Sequence, residues 1–392
     1  MQTLTLIARE LSLQERPALI TGTSTGIKLG GSNDWSVKTT RLEGGLSTGV
    51  DVVIVTIGTF SVTLLPTRGM GVWNASSNGT NWGWKSPVSG PIHPAFVNMQ
   101  SRNGLGWLDG FDELVARCGL SFNGPPGNDA GACSPIESDV TLHGRIANLP
   151  AHEVRVTIDD QGPGSISVTG VVDERTLFGP QLQLTSTVTL VAGQHKFSID
   201  DSIQNLSSAA TELELLYHAN FGPPFLEGGG KFLVASQEVV PRNERAAEGI
   251  DTYDTYLPPT PGYAEQVYFI DPLANEQGVV TTLLHNATAD RGVTVEFKKS
   301  SLPCLSVWKC TQSMEEGYVT GIEPGTNYPN FKSYEREQGR VIRLAGGESY
   351  RCGISIEAHL SASAVSQVAE NIRKSQSSPA TVHPQPQPRY SV

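Results

Sequence analysis

Along most of the chain single apolar and polar residues alternate, the period of a strand with one buried face. Residues 49–69, GVDVVIVTIGTFSVTLLPTRG, read as two strands joined near Gly58. HEVRVTIDDQGPGSISVTGVVDE gives two more around a turn at Gly162 to Gly164, and LQLTSTVTLVAGQHKFSIDDSIQNLS continues the pattern through a turn at Ala192 to Gln194. TELELLYHANF, GVVTTLLHNATADRGVTVEFKK, SLPCLSVWKC and GRVIRLAGGESYRCGISIEAHL follow the same period. Helical spacing is confined to the N-terminal residues, Leu108 to Arg117 and Ala364 to Lys374. The pattern predicts an all-β protein of mainly antiparallel strands with few short helices. It reads as one domain over residues 1–375. Residues 376–392, rich in Pro and Gln with little to bury, are expected to form a disordered tail.

Residues 66–127 break the alternation. They hold four of the six tryptophans, Trp73, Trp82, Trp84 and Trp107, among clusters of Gly and Pro. Long aromatic loops are uncommon in compact domains unless they build a site. Tryptophan beside Arg, Asn and Asp suits a sugar, because flat apolar faces cover C–H surfaces while polar groups bond hydroxyls. The alternative is a loop that plugs one end of a sandwich.

Composition narrows the partners. A net charge of −11 with no basic run argues against nucleic acid. Five dispersed cysteines without a CxxC pair read as reduced thiols. The first twenty residues lack the pattern of a secretory signal, and no apolar run is long enough to cross a membrane, so the expected location is cytoplasmic.

Two motifs mislead. ITGTSTGIK contains a GxSxG around Ser24 and resembles a dinucleotide-binding turn, but both need a strand followed at once by a helix, and LGGSNDW follows. The eight histidines include no HxH or HExxH pair, so no metal is expected. Asp109, Asp112 and Glu113 could form a glycosidase pair, or the acidic start of a helix capped within LDGFDEL. The second reading is the stronger.

Two segments carry candidate acid–base chemistry. ELELLYHANFGPPFL delivers His218 at the end of a strand before a sharp break, where an imidazole is placed for proton transfer, although a satisfied structural histidine fits equally well. GYVTGIEPGTNYPN presents Glu323 as its strand enters a turn, where a carboxylate often only satisfies backbone amides.

Seven blocks together, LPTRGMGVW, WKSPVSGPIHPAFVN, RNGLGWLDGFDELVARCGLSFNGPPG, LHGRIANLPAH, ELELLYHANFGPPFL, GYAEQVYF and GYVTGIEPGTNYPN, resemble the aldose 1-epimerase superfamily of galactose mutarotase-like proteins. The resemblance implies a β-supersandwich without metal or cofactor and a monosaccharide substrate, and leaves a homo-oligomer open. It places a general acid on His218 and a general base on Glu323. It places substrate-binding roles on His143, the pair Arg102 and Asn103, and Glu265. Arg145 and Asn148 would orient hydroxyls, with Trp107 or Trp84 as a stacking face. Nearby carboxylates are expected to raise the pKa of His218. The sequence departs from galactose mutarotases at Glu265-Gln266, where they usually carry Asp-His, and in the GWLDGFDELVARCG insertion. The implied activity is interconversion of the α and β anomers of an aldose. The alternatives are a non-catalytic sugar-binding protein, or another epimerase, isomerase or lyase acting on a modified sugar.

Overall fold

A computed structural model describes residues 1–132 and 135–391. Among these, the alternating segments form two large sheets, of nine and fourteen strands, every named pairing being antiparallel except one at the C-terminal edge. Asp51–Ile57 pairs with Phe60–Leu65 across the predicted turn at Gly58, and Ala151–Asp159, Ser165–Arg175, Gln181–Val191 and Lys196–Asn205 lie side by side in sequence order. This is the all-β architecture of mainly antiparallel strands that the alternation predicts.

The period-two pattern decides which side chain meets the core. From the strand Thr211–Phe221, residues Leu213, Leu215, Tyr217, Ala219 and Phe221 enter the layer between the sheets. There they join Val188, Leu190 and Ile199 of the nine-stranded sheet. Each such fully buried aliphatic or aromatic side chain contributes roughly 1.5–3 kcal/mol. One ion pair spans this layer: Arg117 donates to both carboxylate oxygens of Asp201 at 2.6 and 3.0 Å, to Ser186 Oγ and to the carbonyls of Gly69 and Met70. Tyr217 also donates to Asp201.

The opposite face of the same strand shows Leu216, His218 and Asn220. Across neighbouring strands, Ala116 lies opposite His218, Asn220 opposite Gly321, Ser306 opposite Glu323, and Val267 opposite Trp308. The register that aligns Ala219 with Ile322 sets His218 against Glu323. One row of the large sheet's outer face therefore holds both candidate acid–base groups.

The structure corrects two expectations. Leu108 to Arg117 is no helix: a 3-10 turn over Gly106–Gly110 runs into extended chain and the strand Val115–Leu120. Asp109 therefore caps no helix, and it pairs instead with Arg102 at 2.5 Å. The segment expected as a disordered tail is docked. Thr381–Val382 pairs in parallel with Ser236–Pro241, and Tyr390 is buried against Tyr328, its carbonyl accepting from Asn330 Nδ2. Its composition hid this because a single aromatic anchor and borrowed backbone partners hold it.

The helix Ala362–Ser375 matches its prediction, burying Val365, Ala369 and Ile372 on one stripe behind a Ser361 cap. No described helix is long and apolar enough to cross a membrane. Cys118, Cys304, Cys310 and Cys352 are free and buried. Cys133 lies outside the described residues.

Candidate active site

The aromatic loop is gathered by one buried guanidinium. Arg68 donates to Glu113 at 2.6 Å, to the carbonyls of Ile92 and Gly110 and to Asn148 Oδ1, tying residues 92–113 over the outer face of the sheet. Glu113 and Asn148 are thereby committed to structure. Trp84 donates to the Glu113 carbonyl, and Trp73 to Asp112. Burial, reinforced by the charge of Glu113, pushes Asp112 up to about 8. None of Asp109, Asp112 and Glu113 lines the cavity under the loop, which removes the glycosidase reading.

That cavity measures about 300 Å³. Its walls include Trp107, Phe111, Trp308, His143, His218, Glu323, Glu265 and Arg242. The rings of Phe111, Trp308 and Trp107 stand 4.9, 5.4 and 6.0 Å from that of His218. They form a box of apolar faces around one imidazole.

The hydrogen bonds of Asn220 fix the tautomer of His218. Asn220 Nδ2 donates to the carbonyls of Glu113 and His218, so its Oδ1 is the acceptor that faces His218 Nδ1 at 2.6 Å. Nδ1 carries the hydrogen, and Nε2 keeps its lone pair when the ring is neutral. Nε2 lies 3.2 Å from Glu323 Oε1. That separation suits an ion pair, yet the approach is not aligned as a hydrogen bond, and Oε1 has no other partner.

Burial decides the charge state. It lowers His218 to about 4, against the upward pulls of Asn220, Glu265 and Glu113, so the expected upward shift is reversed. It raises Glu323 to about 8, with Glu265 adding to the shift. Both shifts favour an uncharged imidazole beside a protonated carboxyl, a pair that holds one mobile proton between its members.

Gly321 makes that closeness feasible. It points to the same side as Glu323, and a Cβ there would stand 2.5 Å from Glu323 Oε1 and 3.1 Å from His218 Cε1. His143 enters from a turn in which its own φ is +59°. At the following Gly144, φ is +68° and a Cβ would meet the Phe122 carbonyl at 2.1 Å. His143 Nδ1 bonds the Asn123 carbonyl, and burial and the neighbouring His218 lower its pKa to about 3, so it too presents a neutral ring. Glu265 accepts from Trp308 Nε1 at 2.6 Å, and its Gln266 neighbour is occupied with Tyr263 and the Arg245 carbonyl.

His218, Glu323, His143, Glu265 and Trp107 are thus brought together, whereas Arg102, Asn103 and Arg145 are not. Arg102 and Asn103 sit exposed on the loop exterior with φ of +50° and +58°. Arg145 faces Glu137 at 3.8 Å, 40% exposed. Asn148 serves Arg68, and Trp84 stands outside the lining. Sequence reading missed Arg242, Trp308 and Phe111. Only the alternation of SLPCLSVWKC, with Trp308 two residues beyond Ser306, offered a signal. A second cavity of about 200 Å³ lies near Asp129, Glu212 and Lys332, whose charges are already bound to one another and to Arg336. Among the described residues no group of three His, Cys, Asp or Glu is placed to hold a metal.

A family described as Domain of unknown function (DUF4432) matches residues 47–358. No curated protein matches the sequence. Among solved structures, a "putative aldose 1-epimerase" from Klebsiella pneumoniae is 33% identical, with a TM-score of 0.93 over 99% of this chain and 98% of its own. A galactose mutarotase-like protein from Clostridium acetobutylicum is 16% identical with a TM-score of 0.55, covering 83% of this chain and 99% of its own. The galactose 1-epimerase of Lactobacillus acidophilus is 10% identical at the same TM-score, covering 82% and 98%. These two share the fold. The chain therefore belongs to the DUF4432 family, on a galactose mutarotase-like fold, with the Klebsiella protein a relative along nearly its whole length.

Proposed function

We propose that the protein is an aldose 1-epimerase that interconverts the anomers of a monosaccharide through His218 and Glu323. The observation that carries this reading is the 3.2 Å approach of the two groups within an aromatic cavity of about 300 Å³. The Klebsiella relative's name points the same way.

Anomerisation needs one proton removed from the O1 hydroxyl and one delivered to the ring oxygen. The C1–O5 bond then breaks, C1=O forms, the aldehyde rotates, and the reverse transfers close the other anomer. A neutral pair with one mobile proton suffices: Nε2 of His218 accepts the O1 proton while the Glu323 carboxyl protonates O5, and the roles exchange on closure. This reverses the assignment that the resemblance implies, in the direction that burial favours. Phe111, Trp308 and Trp107 would cover the C–H faces of the sugar, and Glu265 would accept from a hydroxyl.

Exchange NMR or polarimetry across a panel of neutral and acidic aldoses tests the proposal. Acceleration by the native protein and its loss in Glu323→Gln are expected. No acceleration of any sugar would refute it. Product analysis after long incubation separates anomerisation, which leaves composition unchanged, from isomerisation or elimination.

A further inference from the structure

We infer that the substrate is an anionic aldose, bearing a carboxylate or phosphate that the guanidinium of Arg242 binds. The inference rests on the monosaccharide reading above for its site but not on catalysis. Arg242 follows the strand Ser236–Pro241, and its backbone N–H donates to the Val267 carbonyl at 2.9 Å. That bond seats it in the row of Val267 and Trp308, where it lines the same cavity as His218 and Glu323.

Its guanidinium has no ion pair within 4 Å and no hydrogen bond among the described residues, whereas Arg68 and Arg117 each fill theirs with several partners. Half-buried in a pocket walled by aromatics, it lacks the counter-charge that such a group ordinarily keeps. The pocket offers it little. Burial disfavours charge on His143, His218 and Glu323, which leaves Glu265, one of whose oxygens accepts from Trp308. The vacant fork matches the paired oxygens of a carboxylate or phosphate. An anion there would balance the guanidinium while the sugar ring occupies the aromatic box.

Titration calorimetry on the full protein with glucose, glucuronate and glucose 6-phosphate tests the inference, with the same sugars run in exchange NMR. Glucuronate, glucose 6-phosphate or both should bind at least tenfold more tightly than glucose. Arg242→Gln should cut that advantage roughly 10- to 150-fold, the size of a charge-assisted bond. Arg242→Lys should restore part of it, and more for the phosphate than for the planar carboxylate. The side chain makes no bond to the protein, so unchanged thermal midpoints serve as the folding control. Binding of glucose as tight as both anions, or an anion preference that survives Arg242→Gln, overturns the inference. Anion-selective binding without any rate enhancement would uphold it and sink only the epimerase reading.

Discussion

Tyr217 and His218 are neighbours in one strand, yet they face two differently built regions. Around Tyr217, on the core side, Arg117 fills its donors with both oxygens of Asp201, a hydroxyl and two carbonyls. Around His218, on the loop side, Glu323 Oε1, Ser306 Oγ and Trp107 Nε1 are buried without hydrogen-bond partners. Burial alone does not distinguish the sides, since Glu323 is only 4% exposed. What differs is satisfaction. A polar group whose valences are filled holds the fold together, and one left unpaired is available for chemistry.

The comparison breaks most sharply if both sides respond alike to substitution. His218→Ala and Glu323→Gln are each expected to lower the anomerisation rate by roughly 10²- to 10⁴-fold. The thermal midpoint of Glu323→Gln should stay near the native value, because one uncharged polar group replaces another of the same size, whereas His218→Ala should lower it by leaving Asn220 Oδ1 unpaired and a cavity among the rings. Asp201→Ala should cost about 3–5 kcal/mol in urea denaturation by leaving Arg117 uncompensated in the core. Replacing both partners, Arg117→Met with Asp201→Leu, should recover only part of that loss, because Ser186, Tyr217 and the Gly69 and Met70 carbonyls lose their partners. Gly321→Ala is expected to cost about 1–3 kcal/mol through overpacking and to reduce the rate as well, because the new methyl lies between the two groups.

The pH profile sharpens the same contrast. In the proposed reaction the pair works with one proton. Below about 4 His218 takes a second, and above about 8 Glu323 loses the first, so kcat/KM should form a plateau between those values and fall about tenfold per pH unit outside it. A rate still climbing at pH 9 would exclude the protonated carboxyl as donor. The smallest effect is expected at Arg145, where Ala should change stability by less than about 1 kcal/mol and leave activity intact, as befits an exposed ion pair.

The fold was legible because period two is a local property: each strand from Ala151 to Asn205 announces its own buried face, whereas Val115–Leu120, buried on both faces, carries no such period. The site was legible only in part. His218 and Glu323 were found through the blocks that surround them, since neither stands out from a structural histidine or a turn carboxylate. Arg102 and Arg145 were misplaced because a forked cation beside Asn or Gly looks the same whether it faces a cleft or water. Loop exteriors are set by contacts such as those of Arg68, which span 80 residues in sequence. Arg242 was invisible for the complementary reason. Its meaning lies in partners it does not have, and sequence records no absence of contact. The direction of the His218 shift failed likewise, because neighbouring carboxylates can be counted along a chain while desolvation is created only by folding.

Gly321 changes how relatives should be sorted. A survey of family members by their ionisable residues would mark as competent any sequence that keeps the histidine and the glutamate. A branched or bulky residue at this glycine would close the space between them and, by the proposed mechanism, abolish turnover. The residue without a side chain is therefore the sharper test of whether a relative could run the proposed reaction, and a survey should ask about it first.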